Sequence, residues 1–267
     1  GIVPHQSLLV EGEVKPMVSG VTATDKKSPL VEAYRSIGTY IQFASPVRAP
    51  RIILITSARS GEGKTTTCIN LGVPLGNSIG RGIVVDCDLR KPQLHKVFNM
   101  DNSNGLSSYL TGHVEIDTEG FIHQSHVPNL DVIVAGIIPP NPSELLSSYR
   151  MKDLITELFG RYAFVLLDSP PVLGLSDSLI LSTSIDGVVL VVRAGLTPKE
   201  SVIQAKKLLR GVNTRILGVV LNGIRESDLR YSSYNYYYSY YYAEEAPGKK
   251  VRKSRRAKPK PDSQAEA

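Results

Sequence analysis

The sequence predicts an α/β fold, with a mostly parallel sheet flanked by helices. Three observations lead to it. From Arg51 onward, short β-branched apolar runs alternate with segments of helical periodicity. Several runs lack polar alternation: Ile83-Val84-Val85, Phe164-Val165-Leu166-Leu167 and Val188-Val189-Leu190-Val191-Val192. Strands covered by helices on both faces read this way. The first run also leads through a turn of small residues into a segment that can be helical, which is the order of a βα unit.

Taken along the chain, residues 1–27 mix Pro, Gly and Lys and read as a linker with a short strand at most. Residues 28–43 form a helical pattern, with Ser28 placed as N-cap and Pro29 in the first turn. Strands are expected at 51–56, 82–86, 130–135, 162–168, 187–193 and 215–221, and helices at 64–79, 143–160, 176–184 and 198–211. Gly72, Pro74 and Gly76 interrupt the 64–79 helix and predict a kink in its second half.

The stretch RIILITSARSGEGKTTT, residues 51–67, carries the strongest chemical signal. A buried strand, a glycine-bearing loop, Lys-Thr and a helix together make a nucleoside triphosphate site. Gly61 and Gly63 allow backbone N–H groups to approach phosphate oxygens, alongside Ser60, Glu62 and Thr66 in the same loop. Lys64 reaches the β- and γ-phosphates, and the Thr65 hydroxyl is a Mg²⁺ ligand. Ala58 stands where the common motif has its first glycine, so the loop is a variant form.

Two further strand ends carry carboxylates. VVDCDLR places Asp86 and Asp88 on one side of an extended segment, and LLDSPP places Asp168 directly after a buried strand. A carboxylate at such a position near a bound triphosphate can hold Mg²⁺ through its waters. The two cysteines, Cys68 and Cys87, have no metal-ligand spacing and read as buried, reduced thiols.

Charge is unevenly distributed. The net +6 comes from residues 249–260, KKVRKSRRAKPK, which hold eight basic residues; the rest has 23 basic against 25 acidic residues. A near-neutral body argues against nucleic acid as the partner of the domain. No apolar run approaches the ~20 residues that span a bilayer. The chain begins at Gly1 rather than Met, as an excised piece would, and a membrane segment can have been left out.

In this order and spacing, GEGKT, VVDCDLR and LLDSPP resemble the three nucleotide motifs of the bacterial protein-tyrosine kinases of capsule and exopolysaccharide export. The SPLVEAYRSIGTYIQF helix, PPNPSELL at 139–146 and a C-terminal tyrosine cluster are similar too, so the resemblance covers residues 24–245. It implies a P-loop fold of the variant type shared with septum-site and partition ATPases, and phosphotransfer from ATP, with Mg²⁺, to tyrosines of the chain's own tail in a neighbouring subunit of a ring. It implies a membrane polysaccharide co-polymerase as partner and a place at the cytoplasmic face of the plasma membrane. On this pattern Lys64 binds phosphates, Thr65 ligates Mg²⁺, and Asp86, Asp88 and Asp168 hold the metal's waters. One of the first pair, Asp86 by preference, accepts the tyrosine proton. Arg90 steadies the transferring phosphoryl group or forms a salt bridge within the fold. Arg59 stands where partition-type relatives often carry a lysine that reaches across a dimer, or is a solvated loop residue. Asn222 takes the adenine side.

Glu32 and Arg35 match the first two residues of the family's subunit-contact motif, Glu-x-x-Arg-x-x-Arg, but Gly38 replaces the last arginine, which makes ring assembly less secure than catalysis. The implied layout is a linker over 1–27, the kinase domain over 28–228, a tyrosine-rich tail over 229–243 and a basic, disordered C-terminus over 244–267. Residues 231–242 hold eight of the thirteen tyrosines: Tyr231, Tyr234, Tyr236, Tyr237, Tyr238, Tyr240, Tyr241 and Tyr242. Beside an ATP site they read as phosphoacceptors. The basic tract suits anionic lipid headgroups or the membrane partner better than nucleic acid. The competing readings are a partition-type switch ATPase that uses water as nucleophile, and a nucleotide-binding regulatory scaffold.

Overall fold

The protein is represented by a computed structural model that describes residues 1–4 and 29–224. The Ser28 cap, most of the expected linker, the tyrosine cluster and the basic tract lie outside the described residues. The strands are β1 (Ile2–Pro4), β2 (Ile52–Ser57), β3 (Gly82–Asp86), β4 (His123–Gln124), β5 (Leu130–Ile133), β6 (Phe164–Asp168), β7 (Gly187–Arg193) and β8 (Ile216–Ile224). The α-helices are α1 (Pro29–Gln42), α2 (Lys64–Ile79), α3 (Leu94–Phe98), α4 (Leu106–Leu110), α5 (Pro142–Ser147), α6 (Tyr149–Arg161), α7 (Asp177–Leu181) and α8 (Lys199–Gly211).

Among the described residues the strands form one sheet in the order β1-β8-β7-β2-β6-β3-β5-β4. Every neighbouring pair is parallel except β4 with β5. β2 is therefore central. The chain leaves it for β3 on one side, returns to β6 between them, then crosses to β7 on the other side. Ligands of open α/β sheets bind at such a reversal, outside the carboxyl ends of the strands.

Period-two alternation divides the core between the two faces. Leu54, Ile83, Val85, Val165, Leu167, Val188 and Leu190 pack towards α4–α8. Ile53, Ile55, Val84, Leu166, Val189 and Val191 pack towards α1, α2 and α3. All of these strand residues are buried, which is why the runs show no polar alternation. Among the described residues no helix is long and apolar enough to cross a membrane.

The six expected strands and the expected helices are present, with boundaries shifted by up to three residues. There are three departures. The expected 143–160 helix is two helices, because Ser148 is extended (φ −65°, ψ 160°) and its hydroxyl caps the second by accepting the Met151 N–H. The 176–184 segment is α7 followed by a 3₁₀ turn at Ser182–Ser184. β4, α3 and α4 were not expected, being two to five residues long and too short to show a period, whereas β1 falls in the segment where a short strand was allowed for.

α2 runs from Lys64 to Ile79 through all three interrupting residues. Its glycines allow close approach. A Cβ on Gly72 would lie 2.8 Å from the Leu130 side chain, and one on Gly76 would lie 3.2 Å from Asn129. Pro74 faces α1, where Gly38 is buried against it. A Cβ on Gly38 would meet Pro74 at 3.6 Å, an ordinary contact. Gly38→Ala should therefore stabilise the chain by about 0.5–1 kcal/mol through helix propensity, read as a raised urea midpoint at constant m-value. A lowered midpoint would mean that α1 and α2 are packed too tightly to admit a methyl group.

Candidate active site

The loop after β2 sits at the carboxyl edge of the central strand. Gly61 and Gly63 adopt left-handed φ values of 82° and 94°. At Gly63 the requirement is twofold, because a Cβ there would also lie 2.1 Å from the Asn222 amide nitrogen. That nitrogen donates to the Glu62 carbonyl at 3.0 Å. Glu62 is itself buried, 3% exposed. Its carboxylate accepts the Arg59 backbone N–H at 3.0 Å and the Thr197 hydroxyl, and Thr197 in turn accepts the Arg193 N–H. The loop is thus fixed from behind by β7 and β8, in the glycine-bearing form whose backbone N–H groups can cradle an anion. The Arg59 side chain is exposed.

Lys64 and Thr65 open α2, and Lys64 is buried. Asp86 and Asp168 stand opposite one another in register at the ends of β3 and β6. Both are 0–1% exposed. The Asp168 carboxyl is raised above the usual carboxylate range, chiefly by burial, while Thr65 and Lys64 favour its ionised form. Asp86 is raised too, by burial and then by the charge of Asp168, against the backbone N–H groups it accepts. The pair therefore retains a proton to higher pH than free carboxylates do.

The two carboxyls are used differently. Asp86 accepts the N–H of Asp88 at 3.2 Å on one oxygen, and those of Gln93 and Leu94 at 3.0 Å on the other. It shapes the loop from β3 into α3. Asp168 keeps one buried oxygen with no hydrogen-bond partner. Asp88 is half-buried, and one of its oxygens takes the Lys91 N–H at 3.0 Å.

These donors fit Mg²⁺. They are hard oxygens (a threonine hydroxyl and carboxylates), and the unpartnered Asp168 oxygen is an acceptor awaiting a donor or a metal-bound water. Among the described residues no group of three or more His, Cys, Asp or Glu side chains forms a metal cage.

Arg90 is engaged by a different carboxylate. Its guanidinium grips Asp177 at 2.7 and 3.2 Å and donates to the Ser143 hydroxyl at 3.0 Å. Asp177 is fully buried at the start of α7. Burial works against its charge, yet Arg90 and Ser143 hold it below the usual value. One clamp therefore joins three segments: the loop after β3, α5 with its PPNPSELL sequence, and α7. The turn after Asp168 is fastened to the same region, since Ser169 bonds the Ile55 carbonyl and Ser178 bonds Ser169.

The AAA domain family matches residues 50–216. "Tyrosine-protein kinase YwqD" of Bacillus subtilis is 41% identical over 217 residues, 81% of this chain and 90% of that protein. "Putative tyrosine-protein kinase CapB" of Staphylococcus aureus is 33% identical over 84% of this chain and 97% of its own length. The kinase domain of Escherichia coli tyrosine kinase ETK superposes with a TM-score of 0.77 at 30% identity, covering 87% of this chain and 91% of that domain.

The chain belongs to the bacterial tyrosine-protein kinases.

In this kinase the fold brings Ser60–Thr66, Asp86, Asp88 and Asp168 to the carboxyl ends of three adjacent strands, β2, β6 and β3. Asn222 is also there, as a support for the loop. Of the two roles open to Arg90, the geometry shows the salt bridge. Glu32 and Arg35 lie elsewhere, paired with each other on the exposed face of α1. Cys68 and Cys87 are buried free thiols, with burial pushing both well above the usual thiol range. Sequence reading missed Thr197, Ser143 and Asp177. Each is a hydroxyl or carboxylate at the start of a helix, where a cap is the ordinary expectation.

Arg90→Ala should lower stability by about 2–3 kcal/mol in urea unfolding, less than the ~3–5 of a fully buried pair because Arg90 is partly exposed. Adding Asp177→Asn should recover part of that loss by removing the stranded charge. Unchanged stability with abolished phosphotransfer would instead place Arg90 on the phosphoryl group.

Proposed function

We propose that this kinase phosphorylates the tyrosine cluster at 231–242 of a second copy of itself, using Mg²⁺ and ATP, and thereby regulates the synthesis and export of capsular or extracellular polysaccharide. The observation that supports it best is the convergence of Lys64, Thr65 and Asp168 beside one carboxylate, Asp88, that is left half-exposed.

Lys64 and the loop N–H groups would hold the β- and γ-phosphates, and the α2 N-terminus adds partial positive charge behind them. Thr65 and Asp168 would hold the metal, directly and through water, with Asp86 behind them. Mg²⁺ supplies charge neutralisation on the β- and γ-oxygens. Asp88 is better placed than Asp86 to receive the tyrosine proton, because both Asp86 oxygens already accept backbone N–H groups. A tyrosine of pKa ~10 is a weak nucleophile at neutral pH, and a carboxylate at the hydroxyl eases deprotonation as attack proceeds.

The partner on this reading is a membrane polysaccharide co-polymerase, and the site of action is the cytoplasmic face of the membrane, with the 249–260 tract available to anionic lipid. Several tail phosphates, each of about −1.5 to −2 charges, would repel one another and loosen subunit contacts.

The direct test is incubation with Mg²⁺ and γ-labelled ATP, followed by mass-spectrometric mapping, with Lys64→Met as control. Label on Tyr231–Tyr242 that is absent from the control is the expected result. Free phosphate with an unlabelled tail would point to a switch ATPase, and binding without turnover to a scaffold.

A further inference from the structure

A groove of about 440 Å³ opens beside the acidic loop, within the ~300–1,000 Å³ range of small-ligand clefts. One wall is the stretch from Arg90 to Lys96, and the other is Gly136–Ile138. Both walls are held in place. Asp86 anchors the first through the Gln93 and Leu94 N–H groups. Asn102 anchors the second, accepting the Gly136 N–H at 3.0 Å and donating to its carbonyl at 2.7 Å.

The lining is chemically one-sided. It holds three cations, Arg90, Lys91 and Lys96, and no carboxylate among its residues. Lys91 and Lys96 are exposed. The opposite lip is apolar: Ile137 and Ile138 are 69% and 59% exposed, unusual for isoleucine. Cations facing an apolar lip suit a ligand that is both anionic and aromatic. The groove also starts next to the reacting centre, since the Lys91 N–H is bonded to Asp88.

The chain itself contains a segment of complementary chemistry. A phosphorylated tyrosine is an aromatic ring carrying about −1.5 to −2 charges. In Tyr236-Tyr237-Tyr238 and Tyr240-Tyr241-Tyr242, such a residue would lie one or two positions from the next acceptor. We propose that the groove is an acceptor-side subsite that holds a phosphotyrosine of a second copy's tail while an adjacent tyrosine is presented at Asp88. The inference rests on the tail-kinase reading and adds to it that phosphorylation primes further phosphorylation. Lys91 and Lys96 supply the charge, and Ile137 and Ile138 flank the ring.

The test uses the full chain and two synthetic peptides of sequence 231–242, one unmodified and one carrying phosphotyrosine at Tyr238, with products resolved by mass. The primed peptide should show a KM lower by about tenfold, roughly one charge-assisted contact, at similar kcat. A K91S/K96S double variant should erase that preference while keeping wild-type affinity for ADP, and Ile137→Ser should raise the KM of the primed peptide. Equal KM values in the wild type, or a preference that survives in the double variant, would overturn the subsite and leave the tail-kinase reading standing. Loss of phosphatidylserine-vesicle binding in the double variant, with no peptide preference in the wild type, would assign the groove to the membrane and overturn it too. Failure to phosphorylate either peptide would overturn the tail-kinase reading and the subsite with it.

Discussion

Two carboxyl groups placed side by side in a buried sheet set the terms for the rest of this active site. Asp86 and Asp168 are register partners on adjacent strands, and such strands lie about 4.8 Å apart. Burial is the largest cost of ionising either group, and the charge of Asp168 adds to it at Asp86. The surroundings offset part of it with three N–H groups on Asp86, and with Lys64 and Thr65 beside Asp168. What remains is a centre short of positive charge, which is the electrostatic condition for attracting a divalent cation with its nucleotide.

The second requirement is that the loops stay where the strands put them. Glu62 is held by Thr197 and the Arg59 N–H, and Asn222 closes on the loop from β8. The Arg90–Asp177–Ser143 clamp does the same for the acidic loop, drawing in α5 and α7. Three residues singled out as site residues in the sequence also act as supports in the structure. Asp86 shapes a loop, Arg90 holds three segments together, and Asn222 backs a glycine.

Much of this was legible in the chain itself. Unbroken apolar runs such as VVLVV reveal strands buried on both faces, and GEGKT after such a run locates the phosphate loop, because the chemistry is local in sequence. The different hydrogen bonding of Asp86 and Asp88 was not legible, since it depends on N–H groups seven and eight residues beyond Asp86. Asp177 and Ser143 contact Arg90 across 87 and 53 residues, and their own surroundings in sequence are those of ordinary helix starts. The helix expected over 64–79 is present with Gly72, Pro74 and Gly76 inside it, and what the sequence alone did not show is the close approach of α1 and the β5 region at these residues. The groove wall at Gly136–Ile138 is irregular, and it lies near Arg90 only through the tertiary fold.

The charge state of the Asp86–Asp168 pair is the most direct test. A ¹³C NMR titration of the aspartate carboxyls in the nucleotide-free chain, repeated with Mg²⁺ and a non-hydrolysable ATP analogue, reads it out. The native pair should hold a proton well above the ordinary carboxylate pKa of about 4, so that the empty site loses stability as pH rises above that value, where the unfolded chain has already released its protons. Metal and nucleotide should release that proton near neutral pH and bring the pair back towards the ordinary range. Both carboxyls titrating near 4 in the empty chain, unmoved by Mg²⁺ and nucleotide, would contradict the electrostatic basis of the site.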